Sequence, residues 1–103
     1  MELSTTNKIH GKEIKQQFGL VTGNTIRARH VGRDIIAGLK MIVGGEISDY
    51  TKMMAEAREQ ALDRMKEQAR AVGGNAIIEV RFSTSMVMTG AAEILAYGTA
   101  ILI

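Results

Sequence analysis

The sequence predicts one α+β domain over residues 1–103. Its architecture is a two-layer, mostly antiparallel sheet carrying one long and one short helix on one face. Three observations carry this prediction. An apolar stripe of helical period runs from Tyr50 to Val72. Two strand-like runs follow it, separated by a short turn at Thr89-Gly90. Another strand-like run precedes it, from Leu20 to Val31. At 103 residues the chain has the length of one domain. With 46% apolar and 23% charged residues it is not disordered by composition.

In chain order, Leu3 to Thr6 reads as a short first strand. The run Leu20 to Val31 places Leu20, Thr22, Ile26, Ala28 and His30 on one face, with Gly23-Asn24 as a bulge or turn within it. Ile35, Ile36, Leu39 and Ile42 then fit a short amphipathic helix that stops at Gly44-Gly45. The long helix repeats apolar residues at Tyr50, Met54, Ala57, Ala61, Met65, Ala69 and Val72. Ser48 or Asp49 can cap its start, and Gly73-Gly74 can supply the left-handed residue that ends it. From Asn75 onward, Ala76, Ile78, Val80 and Phe82 alternate with Ile77, Glu79, Arg81 and Ser83. The same alternation places Met86 and Met88 on one strand face. The last strand runs from about Ala92 to Leu102 and forms an antiparallel hairpin with the one before it.

That last strand is apolar on both parities. Ala92, Ile94, Ala96, Gly98, Ala100 and Leu102 form a mostly small face, suited to a helix lying close. Leu95, Tyr97, Thr99, Ile101 and Ile103 form a larger one, which asks for a second cover. Another subunit is the natural candidate, and the chain's own N-terminal segment is the alternative. The expectation is a homo-oligomer joined through the C-terminal hairpin and the strand carrying Arg27 and Arg29. Its contact residues are then Arg27, Arg29, Tyr50, Arg58, Leu95, Tyr97 and Ile101.

The same residues carry a resemblance. Gly19, Val21 and Gly23 are followed by Arg33-Asp34, Val43-Gly44-Gly45 and Tyr50. Ala57-Arg58, Ala61-Leu62 and Ala69 come next in the helix. Gly73-Gly74-Asn75-Ala76-Ile77 and Gly98-Thr99-Ala100 close the set. In this order and spacing the whole chain resembles the YbjQ-like family of small bacterial and archaeal proteins. The resemblance implies a dodecin-like subunit assembled as a ring, a homopentamer, and brings with it a label as a heavy-metal-binding domain. No activity comes with it. Gly74 departs from the family's usual Gly-Ala-Asn-Ala stretch, which changes a helix cap and no chemistry.

The residues themselves offer little chemistry. There is no cysteine, so disulfide scaffolds, zinc fingers, iron–sulfur clusters and thiol nucleophiles are excluded. The two histidines, His10 and His30, lack partners at ligand spacing. Met53-Met54 and Met86-x-Met88 can offer thioethers to Cu(I), but methionines so placed also serve as core filling. A metal ion is therefore the one cofactor left open. No nucleotide-binding or hydrolase motif occurs. His30, Arg33 and Asp34 are the only cluster that combines a proton carrier, an anion clamp and an orienting carboxylate. Gly44-Gly45, ahead of the long helix, can bind an anion or simply make a turn.

The partners expected are copies of the chain itself. The net charge of +2 is mild, and Arg27, Arg29, His30 and Arg33 have no interleaved aromatic residues, so no nucleic acid is expected. The longest apolar stretches, 35–43 and 91–103, fall short of the roughly 20 residues that span a bilayer. The opening MELSTTNKIH has no apolar signal region. A cytoplasmic protein without a membrane is the expectation. The functional reading is a ring-forming structural or binding protein. Any ligand would then sit near His30, Arg33, Asp34, Gly44 and Gly45. Metal or small-anion binding by the ring is the alternative, and an enzyme using His30 with Asp34 is the third.

Overall fold

The computed structural model describes residues 1–28, 47–88 and 90–103. The short helix expected before Gly44 lies outside the described residues. So do Arg29, His30, Arg33, Asp34, Gly44, Gly45 and Thr89. The elements are β1 (Glu2–Leu3), β2 (Gln16–Ala28), α1 (Ile47–Ala71), β3 (Ala76–Met88) and β4 (Ala91–Leu102). They form a four-stranded sheet in the order β1-β3-β4-β2, with β4 antiparallel to both neighbours. The α+β class is therefore as expected. The sheet is mixed, however, because the very short β1 lies parallel to β3. The chain reaches β3 from β1 only by way of β2 and α1, and so long a crossover permits parallel pairing.

The helix forms where the apolar period predicts it. Ala57, Ala61, Met65 and Ala69 are all fully buried, and Met54 and Leu62 pack beside them. It is already helical at Ile47, so Ser48 and Asp49 lie in its first turn and do not precede it. Its end follows the Schellman pattern. The Gly73 N–H donates to Arg70 O at 3.0 Å and the Gly74 N–H donates to Ala69 O at 2.8 Å. Gly73 has φ of 101°, a backbone setting that glycine adopts without strain.

α1 lies across β2 and β4 and barely reaches β3. Gly23 permits this. A Cβ there would collide with the backbone of the helix at Ala61 O and Met65 N. The inward residues of β2 are therefore Val21, Gly23 and Thr25, and Leu20 and Ile26 point to the exposed face. Gly23-Asn24 is not a bulge but a regular part of the ladder, opposite Ala96 and Leu95. The small parity of β4, with Ile94, Ala96 and Ala100 buried, completes the helix-facing layer.

Three irregularities shift the register. In β2 the shift falls between Gln17 and Gly19, so Phe18 is the extra residue. It joins the helix-side core and reaches within 3.5 Å of the Cβ position at Gly73. In β3 the shift falls between Ile78 and Arg81, where Glu79 has φ of 52°. Ile77 and Val80 consequently both face the helix layer, while Ala76 and Ile78 face the other side. Gly98 of β4 sits opposite, and a Cβ there would come within 2.7 Å of Ile77 Cγ2 and 2.9 Å of Ile78 O. The third shift falls between Met86 and Met88. Met86 pairs with Ala92 and Met88 with Ala91, adjacent residues of β4. Because adjacent strand residues point to opposite faces, Met86 and Met88 do not share a face as the simple alternation predicts.

Candidate interaction surface

The larger parity of β4 meets two different surroundings. At its C-terminal end Ile101 is fully buried in a second small core with Ile9, Ala76 and Ile78, flanked by Ile14 and Ile103. The N-terminal segment therefore covers this end, and Ile101, expected as a subunit contact, is buried within the chain itself. The cover is held down by the backbone. Ser4 and Thr6 exchange hydrogen bonds with Ile77, Glu79 and Val80, and Arg81 Nη1 donates to Thr5 O at 2.7 Å. Asn75 pins the end of β4 through two bonds to the backbone of Ile103. Farther along, Leu95 and Tyr97 remain only half-buried. On the neighbouring strand Leu20 is 72% exposed and Ile26 57% exposed.

The two edges of the sheet also differ. Along β2, the Thr22 N–H donates to Gln68 Oε1, and Arg64 Nη1 donates to Asn24 O at 2.6 Å. Both partners are helix side chains, positioned by the close approach at Gly23. Along β3, the outer edge is occupied by β1 and the chain after it as far as Val80. Among the described residues no strand pairs with the outer edge from Phe82 to Met88. This segment exposes Phe82, Met86, Val87 and Met88. Sequence reasoning took these residues as the continuation of an alternating strand and missed them as a surface. The signal was present: Phe82 to Met88 holds no charge, proline or glycine.

Of the other expected contact residues, Arg58 is exposed on α1, Tyr50 lies in the helix's opening turns, and Arg27 is half-buried on β2. Among the described residues two buried side-chain atoms, Thr25 Oγ1 and Arg27 Nε, have no hydrogen-bond partner. They occupy alternate positions of β2, on the helix side. A buried unmet donor or acceptor costs about 1–3 kcal/mol.

The metal question can be put to the donors. Among the described residues no group of three or more His, Asp or Glu side chains is placed to hold an ion. His10 is exposed, beside an open hollow with Glu2 and Ser4. Met86 and Met88 are set on opposite faces. No described helix is long and apolar enough to cross a membrane.

Comparison with known proteins gives a consistent picture. A family model, YbjQ_1, described as "Putative heavy-metal-binding", matches residues 1–103. A UPF0145 protein of Methanosarcina acetivorans is 55% identical over 101 residues, covering 98% of this chain and 95% of that one. A UPF0145 protein of Dehalococcoides mccartyi is 55% identical over 103 residues, covering 100% and 99%. The crystal structure of a DUF74-family protein of unknown function from Pediococcus pentosaceus superposes with a TM-score of 0.68. It shares 21% identity and covers 100% of this chain and 97% of that one, which establishes the likeness of fold.

Proposed function

This chain belongs to the YbjQ family, and we propose that its biochemical role is self-assembly in the cytoplasm into a closed homo-oligomer that holds any ligand between subunits. A ring of five is the number the family resemblance favours. The observation that carries the proposal is apolar surface left open beside a filled core. Leu20 and Ile26 are exposed, and Leu95 and Tyr97 are only half covered, while the helix layer and the Ile101 end are fully packed. The chain's radius of gyration, 17.0 Å, supports it as well, since a compact chain of this length has about 13 Å. Light scattering on a sizing column at micromolar concentration tests the proposal. The expected mass is several times 11.2 kDa, and a monomeric mass rejects it.

A second reading follows the family description: the assembled ring binds a metal or small anion. Its anion form is favoured by the unmet Thr25 Oγ1 and Arg27 Nε, hydrogen-bond donors on the strand that leads toward His30, Arg33 and Asp34. Titration calorimetry of demetallated protein with zinc, copper and phosphate decides it, and absence of heat with all three rejects it. Catalysis by His30 with Asp34 is separated from both by His30→Ala, which then abolishes a turnover without changing mass or ligand heat.

A further inference from the structure

Thr25 and Arg27 share one side of β2, and we propose that together they bind a phosphate group once the opening turns of α1 lift from the strand. This rests on the anion form of the second reading and names its donors, its ligand class and the ligand's way in. Thr25 is 3% exposed, and among the described residues neither its Oγ1 nor the buried Nε of Arg27 has a partner. Both can donate: one is a hydroxyl, the other belongs to a charged planar fork. Two positions along a strand set the residues about 7 Å apart, with their side chains on the same side. A phosphate group offers three terminal oxygens, so it can meet two arms of the fork and the hydroxyl together, whereas a carboxylate offers two. Glu93 does not serve Arg27. It stands opposite Ile26, on the other face, where its Oε2 accepts a bond from Asn24.

Atoms so covered take a ligand only when the cover moves. α1 runs opposite to β2, since Gln68 meets Thr22 and Arg64 meets Asn24. Later residues of β2 therefore lie under earlier turns of the helix. At 3.3 Å per strand residue and 1.5 Å per helical residue, Arg27 falls beneath about residue 54. From Thr51 to Glu56 no side chain is fully buried, whereas Ala57, Ala61, Met65 and Ala69 are. The backbone contact at Gly23 and the bonds from Gln68 and Arg64 all belong to the later half of α1. Segments with few buried apolar contacts open locally at less cost than the whole fold. Lifting the first turns presents two unmet donors to a ligand and breaks none of those later holds.

Titration calorimetry at fixed ionic strength tests this, with inorganic phosphate and methyl phosphate as separate probes. Thr25→Val keeps the shape of the side chain and removes the hydroxyl, while Thr25→Ser keeps the hydroxyl. Phosphate binding is expected to weaken about tenfold or more in Thr25→Val and in Arg27→Gln, and to persist in Thr25→Ser. Tighter binding of the ester points to a phosphorylated small molecule as the ligand, and tighter binding of the ion to free phosphate. Hydrogen exchange gives a reading that needs no variant. Phosphate is expected to speed exchange of the amides of 51–56 about tenfold or more and to leave those of 61–69 unchanged. Phosphate heat undiminished in Thr25→Val or Arg27→Gln, or exchange at 51–56 that phosphate does not alter, overturns this site and leaves anion binding standing. Absence of phosphate heat in the unmodified protein overturns both.

Discussion

Along β2 the outermost backbone groups are met by helix side chains, Gln68 at Thr22 and Arg64 at Asn24, whereas along β3 the cover ends at Val80. Both are edge strands of one sheet, and both are 13 residues long. The difference lies in where the helix can go. Gly23 lets α1 lie against β2 almost backbone to backbone, so that side chains flanking the contact reach over the edge. No element of the described structure approaches the far half of β3 in this way. An edge is thus closed here by the depth of a neighbouring contact as well as by the strand's own residues.

The sharpest way to break the contrast is Gly23→Val. The new side chain occupies the space of the helix backbone, α1 must withdraw, and both edge bonds are lost with it. A loss of about 4 kcal/mol is expected in urea denaturation, near the upper end for single substitutions. Removing only the edge caps, with Gln68→Ala and Arg64→Ala together, is milder. About 2 kcal/mol is lost, and the exposed β2 edge gives higher-order species on a sizing column that the unmodified protein lacks. Gly73→Ala acts through the point where the helix stops. A side chain at a φ of 101° costs about 1 kcal/mol, read as a lower Tm. The smallest effect sharpens the comparison from inside β2. Thr25→Val replaces a buried hydroxyl that has no partner by a methyl group of the same shape, so stability is unchanged or raised by up to about 1 kcal/mol.

The parts of the fold legible in the sequence are those with one local period. The stripe Ala57, Ala61, Met65 and Ala69 is the buried face of α1, and the small parity of β4 lies beneath the helix. The Gly73-Gly74 stop is where it was expected. The inward face of β2 was not legible. Leu20 and Ile26 outweigh Val21 in apolar bulk, yet the close approach of α1 selects the parity containing Gly23. A glycine in a strand reads locally as a turn, and only the helix shows why it is needed. The bulges were equally hidden, because an alternating pattern carries no mark of an extra residue. The cover over β4 was half legible: its two apolar faces announced a second cover, which Ile9 supplies at Ile101, while Leu95 and Tyr97 stay half-buried. The open edge beyond Val80 follows from β1 being only two residues long, which no period reveals.

The register shift at Glu79 opposite Gly98 has a consequence for how this chain tolerates change. Strand residues are read in pairs, one up and one down, and the extra residue resets that frame midway along β3. Before it, odd-numbered Ile77 faces the helix layer; after it, even-numbered Val80 does. Deleting Glu79 removes the extra residue and makes the ladder regular, with Val80 opposite Gly98 and Arg81 still opposite Tyr97, so Val80 and Phe82 keep the helix side. Deleting a residue farther along, between Arg81 and Ser85, instead transposes the two faces of everything that follows it. The bulge is thus a place where the hairpin can lose a residue without exchanging its faces.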